Sequence, residues 1–215
     1  MIELPKKKYQ IIYADPPWSY KDKRERPGPK GNKAGSAAAH YPTMSLQEIM
    51  DLPVQDIASD PCMLFIWVTW PLLPMWLPVI NAWGFQYKTL AFNWVKQYPK
   101  SGKLCIGAGA YTRSNSEVCL LGVKGKAGSM VIDRRICNVI VEQDEEYYDI
   151  SDNTVVAPRG VHSAKPTTIR NKIVRLVGDR PRIELFARSS AEGWDVWGNE
   201  VNNDDVQDGE SLISF

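Results

Sequence analysis

The chain has 215 residues, of which 44% are hydrophobic and 24% are charged, a balance typical of a globular domain and incompatible with a fibrous or fully disordered chain. The 26 Lys and Arg residues nearly balance the 25 Asp and Glu residues, and the resulting net charge of +1 excludes a polycation that binds nucleic acid through its overall charge. Any basic surface must therefore be local.

Four scattered cysteines and two histidines, with no CxxC pair, predict neither a disulfide framework nor a metal site. They favour a reducing, cytoplasmic environment. The first residues lack the apolar segment of a signal peptide. The span Cys62–Ile80 is almost wholly apolar, but three prolines interrupt it, and Pro78 in particular is expected to break a continuous helix. We therefore predict no membrane span.

Apolar runs typical of buried strands alternate with segments of helical periodicity. This alternation predicts an α/β fold with a mostly parallel sheet and helices on both faces. The predicted elements, in chain order, are a strand at Tyr9–Ala14, a helix at Leu46–Asp51 begun by a capping box of Ser45 and Glu48, a strand at Met63–Val68, a helix beginning at Pro71, strands at Tyr87–Val95 and Glu117–Val123, a helix at Thr167–Val177 and a strand at Arg182–Arg188.

The length fits a single domain over residues 1–201. Residues 19–42 lack periodicity and are rich in Gly, Pro and charge, which predicts a mobile basic loop. Residues 202–215 are an acidic C-terminal tail. The tryptophans of the long apolar block are expected in the core, namely Trp67, Trp70, Trp76 and Trp83.

The first predicted strand leads into Asp15-Pro16-Pro17-Trp18, the strongest local signal in the chain. Ligands of open α/β sheets bind at the carboxyl ends of the strands, so Asp15 is expected to face a crevice. The two prolines fix the backbone and remove two donors, which leaves rigid carbonyl acceptors. A carboxylate beside an oriented carbonyl is suited to holding a substrate amino group, and Trp18 offers a flat face for a planar ring. An ordinary turn followed by a core tryptophan is the alternative.

Eight short blocks extend this signal over most of the chain, from about Tyr9 to Val201. They are Asp15–Trp18, Tyr41–Ser45, Leu64–Thr69, Trp94–Lys96, Glu117–Gly125, His162–Pro166, Glu184–Arg188 and Gly193–Glu200. In these blocks and in their order, the chain resembles the family of adenine methyltransferases founded on the seventy-kilodalton catalytic subunit of the mRNA adenosine methyltransferase, and more closely its short bacterial and phage members.

The resemblance implies a Rossmann-like core that uses S-adenosyl-L-methionine, with the catalytic strand first and the cofactor strand last. By the same resemblance, Lys165 would pair with the carboxylate of S-adenosylmethionine, and Phe186 would line its pocket. Arg188 and Glu200 would hold the ribose hydroxyls, and Asn199 the adenine ring. These donor and acceptor assignments are chemically sensible.

The implied reaction is methylation of the 6-amino group of adenine. The lone pair of that nitrogen is delocalised into the ring, and hydrogen bonds to Asp15 and to the Pro16 carbonyl would localise it for direct displacement. An adenine in a duplex must be flipped out to be reached. A local charge excess of +4 between positions 21 and 33 predicts phosphate contacts, although a solvated loop is the alternative; its basic residues are Lys21, Lys23, Arg24, Arg26, Lys30 and Lys33.

DNA is the expected substrate, because the compact relatives modify DNA. The same reaction on RNA is one alternative. A non-catalytic nucleic-acid-binding scaffold subunit is another, although the presence of Asp15, Lys165, Arg188 and Asn199 argues against it. A nucleotide-cofactor dehydrogenase is disfavoured by the absence of its glycine fingerprint. A monomer and a homodimer both fit the sequence.

Overall fold

The computed structural model describes residues 3–18, 43–98, 101–106, 111–141, 165–166 and 168–199. Within these residues the strands are β1 (Tyr9–Ala14), β2 (Ala58–Val68), β3 (Gln86–Val95), β4 (Ser116–Lys124), β5 (Val139–Val141), β6 (Arg182–Leu185) and β7 (Asp195–Trp197). The α-helices are α1 (Leu46–Met50), α2 (Val54–Ile57), α3 (Leu73–Ala82) and α4 (Thr168–Val177), and short 3-10 turns lie at Trp70–Leu72 and Ala127–Met130.

The strands form one sheet in the order β5-β3-β4-β2-β1-β6-β7. β1 pairs in parallel with β2 on one side and with β6 on the other, and the pairs β3–β5 and β6–β7 are also parallel. Only β4 among these strands is reversed, and it is antiparallel to both β2 and β3. The predicted mostly parallel sheet is confirmed. The reversal of β4 has one consequence for the site: the first residues of β4 lie at the edge where β1, β2, β3 and β6 end.

The sheet has an apolar core on each face. Along β2, Leu64 and Ile66 point to one face and Phe65 and Trp67 to the other, and all four are buried. Helices α1, α2 and α3 pack on the first face, and α4 packs on the second. A central strand covered on both sides must be apolar at nearly every position, which explains the uninterrupted run over residues 62–68.

The first helices follow the sequence prediction closely. Helix α1 begins at its capping box, in which the Glu48 amide donates to the Ser45 hydroxyl and the Ser45 amide to the Glu48 carboxylate. The prediction for Pro78 is wrong, because this residue lies inside α3 without breaking it. Pro78 has no amide N–H to donate to the Pro74 carbonyl four residues earlier. Both prolines are exposed, so the missing hydrogen bond lies on the solvent side of the helix. No helix among the described residues is long and apolar enough to cross a membrane.

Trp70 is the exception among the tryptophans of the apolar block. Trp67, Trp76 and Trp83 are buried as predicted, but Trp70 is 48% exposed. It lies just beyond the end of β2, where the chain turns from the sheet into the 3-10 turn. The apolar composition of the block did not distinguish this position from its buried neighbours.

The last part of the sheet differs from the prediction. The strand expected at Arg182–Arg188 ends at Leu185, because Phe186 adopts a left-handed backbone conformation with φ of 63°. The chain then returns as β7, a strand of three residues that is too short to show periodicity. The Ala187 amide donates to the Trp197 carbonyl at 3.0 Å and joins the two strand ends.

Gly198 offers a test of this junction. A Cβ atom at this position would lie 2.3 Å from the Ala187 carbonyl oxygen and 2.8 Å from its amide nitrogen. Backbone atoms cannot move aside as a flexible side chain can, so Gly198→Ala should lower the free energy of unfolding by about 1–3 kcal/mol. Urea denaturation measures the change.

Gly128→Ala is the matched control, since a Cβ there meets nothing within 4 Å. This variant should stay within about 0.5 kcal/mol of wild type. Equal stability of the two variants would contradict the tight approach of the chain at Gly198.

Candidate active site

A cavity of about 110 Å³ opens at the carboxyl edge of the sheet, between β1 and β6. The chain continues from β1 to β2 on one side, whereas β6 flanks β1 on the other, so the cavity lies at the topological switch point of the sheet. Its described lining comes from the end of β1, from β6 and the residues after it, and from the start of α4: Tyr13, Asp15, Lys165, Pro166, Arg170, Glu184, Phe186, Arg188 and Ser189.

Asp15 and Lys165 form an ion pair in this cavity. The Lys165 ammonium donates to Asp15 Oδ2 at 2.8 Å and lies 3.3 Å from Glu117 Oε2. Glu117 in turn accepts a short hydrogen bond from Lys96. The result is a row of alternating charges, Asp15–Lys165–Glu117–Lys96, in which the Lys165 side chain is only 10% exposed. Four separate parts of the fold supply its members: the end of β1, the segment before α4, the start of β4 and the residue after β3.

The pKa values of this row follow from its geometry. Burial alone would lower the pKa of Lys165, but the charges of Asp15 and Glu117 outweigh that effect and raise the pKa above its ordinary value. Burial would raise the pKa of Glu117, but the Lys165 and Lys96 ammonium groups lower it overall. Both groups are therefore held in their charged forms at neutral pH.

A second ion pair lies beside the first. Arg170 of α4 donates to the Glu184 carboxylate on β6, and Glu184 lies opposite Tyr13 in the β1–β6 register. Burial raises the pKa of Glu184, an effect that the Arg170 hydrogen bond partly offsets. The Tyr13 hydroxyl accepts a hydrogen bond from the Trp67 indole at 2.7 Å. Burial and the nearby Glu184 raise the pKa of Tyr13, so its phenol is neutral.

Phe186 and Arg188 complete the wall formed after β6. The left-handed conformation of Phe186 turns the chain at this point, and its ring packs edge-on against Trp197 with centroids 5.4 Å apart. Bulky residues adopt this conformation at a cost of about 1–3 kcal/mol and often at functional sites. The strain lies in a residue that lines the cavity, which is the usual setting of such outliers.

The structure thus brings together four of the predicted site residues, Asp15, Lys165, Phe186 and Arg188, around one cavity. Asn199 follows β7, is exposed, and is not among the described residues of the lining. Glu200 and the basic residues from Lys21 to Lys33 lie outside the described residues. The roles assigned to all of these residues stay predictions.

The two prolines and Trp18 lie beside the cavity rather than in its described lining. The Pro17 carbonyl accepts the Met44 amide at 2.7 Å and is thereby committed to the fold. The Trp18 indole is buried and packs edge-on against Trp76, as in the alternative interpretation of this segment. The Pro16 carbonyl is the acceptor to which the prediction assigns the substrate.

Sequence reasoning gave no role to five residues of this site, namely Tyr13, Lys96, Glu117, Arg170 and Glu184. Glu117 begins a predicted strand, a position that would lie far from the carboxyl edge of a parallel sheet. The reversal of β4 brings it to that edge. The available signal was a charged residue next to an apolar run: Lys96 follows β3, and Glu117 lies at the start of β4.

Comparison with known proteins identifies this arrangement as a Rossmann-like methyltransferase fold. A family model described as MT-A70 matches residues 9–200, nearly the whole chain. The chain therefore belongs to the MT-A70 family, and the predicted resemblance is confirmed.

The relatives fall into two size classes. Type II methyltransferase M.MunI of Mycoplasma sp is 34% identical over 215 aligned residues, which cover 95% of this chain and 83% of that protein. The human N(6)-adenine-specific methyltransferase METTL4 is 26% identical and matches 91% of this chain. The human N(6)-adenosine-methyltransferase catalytic subunit METTL3 is also 26% identical, over 97% of this chain. The chain spans 38% of METTL4 and 31% of METTL3.

Glu117→Gln tests the row of charges through its pH dependence. The folded chain holds the pKa of Glu117 below 4.5, so the ionised carboxylate stabilises the fold above that pH, and the contribution disappears as the pH falls through the lower folded-state value. At neutral pH the variant should unfold with a free energy lower by about 1–3 kcal/mol, because Lys96 loses its ionised partner and Lys165 keeps only Asp15. Below pH 4.5 the difference should shrink. Urea unfolding at a series of pH values measures both.

Glu192→Gln makes the same chemical change at an exposed position and serves as the control. It should change stability by less than about 0.5 kcal/mol. A deficit of Glu117→Gln that is the same at neutral and acidic pH would show that the side chain acts through its shape and not through its charge.

Proposed function

We propose that this chain transfers a methyl group from S-adenosylmethionine to the exocyclic 6-amino group of adenine in DNA. The observation that carries the proposal is the placement of Asp15 in the same cavity as Lys165, Phe186 and Arg188. Membership of the MT-A70 family supports the reaction class, and so do two relatives named as adenine or adenosine N(6)-methyltransferases. DNA is favoured because the chain is similar to the compact members of the family, which are expected to modify DNA. It matches most of the compact M.MunI but only about a third of the longer METTL relatives.

The charged, polar and apolar groups that line the cavity fit S-adenosylmethionine. When bound, this molecule supplies an electrophilic methyl group on a sulfonium centre. An ammonium has three N–H donors, and Lys165 directs two of them to Asp15 and Glu117, so the third is left for a ligand carboxylate. Glu184 offers a carboxylate to a ligand ammonium, Arg188 offers N–H donors to hydroxyls, and Phe186 offers an apolar ring.

Asp15 has a second task toward the substrate. Its Oδ2 atom accepts the Lys165 hydrogen bond, which leaves Oδ1 as the acceptor for one N–H of the adenine amino group. The Pro16 carbonyl accepts the other N–H. Two acceptors held by a rigid backbone draw the nitrogen toward tetrahedral geometry and localise its lone pair. The carboxylate also stabilises the positive charge that develops on nitrogen as the new bond forms.

The six basic residues between positions 21 and 33 are proposed to hold the phosphates on either side of the flipped adenine. They follow Asp15-Pro16-Pro17-Trp18 closely in the sequence. Their contact with nucleic acid stays a proposal.

The reaction is tested by product analysis. The chain is incubated with S-adenosylmethionine labelled in its methyl group and with DNA and RNA oligonucleotides of matched sequence, and the nucleosides are then separated. We expect label in N6-methyl-2′-deoxyadenosine. Label only in the RNA product would correct the substrate, and label in neither would overturn the function.

Asp15→Asn separates chemistry from donor binding. The amide keeps the shape and one oxygen acceptor but carries no negative charge, so methyl transfer should fall by at least about 100-fold. Binding of S-adenosylmethionine, measured by calorimetry, should weaken much less, because Lys165, Phe186 and Arg188 remain. Single-turnover methyl transfer measures the chemical step.

Asp56→Asn, an exposed aspartate on α2, makes the same substitution away from the cavity and should leave methyl transfer unchanged. Appreciable turnover by Asp15→Asn would remove the charge-stabilising role of this carboxylate. A parallel loss of donor binding would instead place Asp15 in the donor site alone.

A further inference from the structure

Trp70 is a half-exposed tryptophan whose ring is fixed. It begins the 3-10 turn directly after β2, and 48% of its surface faces solvent. Its indole N–H donates to the Ser116 hydroxyl at 3.1 Å, so its one polar group already has a partner within the protein. An indole held in this way presents a flat apolar surface with little orientational freedom left to lose on binding.

The ring lies at the same edge of the sheet as Asp15. β1 and β2 are parallel and end at this edge, and the reversed β4 begins there with Ser116. Ser116 precedes Glu117, which lies 3.3 Å from Lys165, and Lys165 contacts Asp15. Trp70 is thus connected to the catalytic carboxylate through a short row of contacts without belonging to the described lining of the cavity itself.

The chain that leads into Ser116, the hydrogen-bond partner of Trp70, is basic and apolar. The connection from β3 to β4, residues 97–115, contains three basic residues and no acidic one. Of its described residues, Lys103 and Arg113 are exposed. So are four large apolar or aromatic side chains, Tyr98, Leu104, Ile106 and Tyr111. Aromatic rings interleaved with cations are the composition of surfaces that bind single-stranded nucleic acid.

We propose that Trp70 is a stacking platform for a nucleobase that neighbours the target adenine, and that Lys103 and Arg113, on the described part of the β3–β4 connection, contact the adjoining phosphates. This inference deepens the proposed function, since it takes the substrate to be a nucleic acid. A second copy of the chain is a poorer occupant. A two-fold contact around Trp70 would place the positively charged β3–β4 connection of one copy against that of the other.

The experiment compares three variants with wild type. Trp70→Ala removes the ring, and Trp70→Phe keeps a smaller planar ring without the Ser116 hydrogen bond. Tyr87→Ala is the matched control, because Tyr87 is 41% exposed but lies near the start of β3, at the opposite edge of the sheet. The probe is a fluorescein-labelled single-stranded DNA with one adenine, together with versions in which one flanking nucleotide at a time is abasic. Fluorescence anisotropy measures the dissociation constants.

Stacking predicts a weakening of binding that depends on one base. Trp70→Ala should weaken binding of the intact probe by roughly 5- to 100-fold, Trp70→Phe should recover much of that affinity, and Tyr87→Ala should bind as wild type does. In wild type, one abasic position beside the adenine should weaken binding by a similar factor. In Trp70→Ala the same abasic position should have no further effect, because the base no longer has a ring to stack on.

The salt dependence separates stacking from phosphate binding. Trp70→Ala should leave the slope of log affinity against log salt unchanged, because a stacked base releases no counterions. This slope is negative. Replacing Lys103 and Arg113 with Ala should make it shallower, by about 0.7 for each phosphate that these side chains neutralise.

Three outcomes would overturn the platform. Equal binding by Trp70→Ala and Tyr87→Ala would show that the ring does not contact the probe. Weaker binding by Trp70→Ala without any abasic position that reproduces it would exclude stacking. A change of oligomeric state in Trp70→Ala, measured by sedimentation with unchanged DNA binding, would assign the ring to a contact between copies. Methyl transfer by wild type, measured in parallel, shows whether the proposed function stands while the platform falls.

Discussion

The Lys165 ammonium, placed between two carboxylates from different strands, is the interaction on which the site depends. It joins Asp15 at the end of β1 to Glu117 at the start of β4, and Lys96 closes the other side of Glu117. Removing such charges from water costs several kcal/mol for each ion, so the arrangement persists only while every member has its partner. This requirement explains why charges of both signs, from elements far apart in the sequence, lie together at one edge of the cavity. It also explains why removing one charged member is expected to destabilise the others.

The sheet topology divides this edge into two sides. On the β6 side, Phe186, Arg188 and the Arg170–Glu184 pair surround the cavity with groups suited to a charged, hydroxylated donor molecule. On the β4 side, the basic β3–β4 connection and the exposed Trp70 ring suit a nucleic-acid strand. Asp15 stands between the two, at the switch point, where its carboxylate contacts Lys165 and, in the proposed function, accepts a hydrogen bond from the adenine amino group. The division follows from strand order, since β1 has β6 on one side and β2, then β4, on the other.

Local signals in the sequence predicted most of the elements and placed Asp15 at the carboxyl end of β1. Tyr9–Ala14 was predicted to the residue because it is a short apolar run followed by Asp15 and two prolines. The start of α1 was predicted at Leu46 because its capping box is complete, and the helix ends one residue before the predicted Asp51. The features that the sequence did not predict mostly concern long-range structure. The direction of β4 decides whether Glu117 reaches the site, and no periodicity encodes direction. The left-handed turn at Phe186 and the exposure of Trp70 likewise depend on packing against distant residues.

The coupling between Asp15 and Lys165 is the quantity that most directly tests whether their ion pair organises the site. A double-mutant cycle with Asp15→Asn, Lys165→Met and the combined variant isolates their interaction in the free energy of unfolding at neutral pH. We expect the double variant to be less destabilised than the sum of the single variants, by about 1–3 kcal/mol. Single effects that add to within about 0.5 kcal/mol would show that the two charges do not depend on each other, and the ion pair would no longer explain how the site is held together.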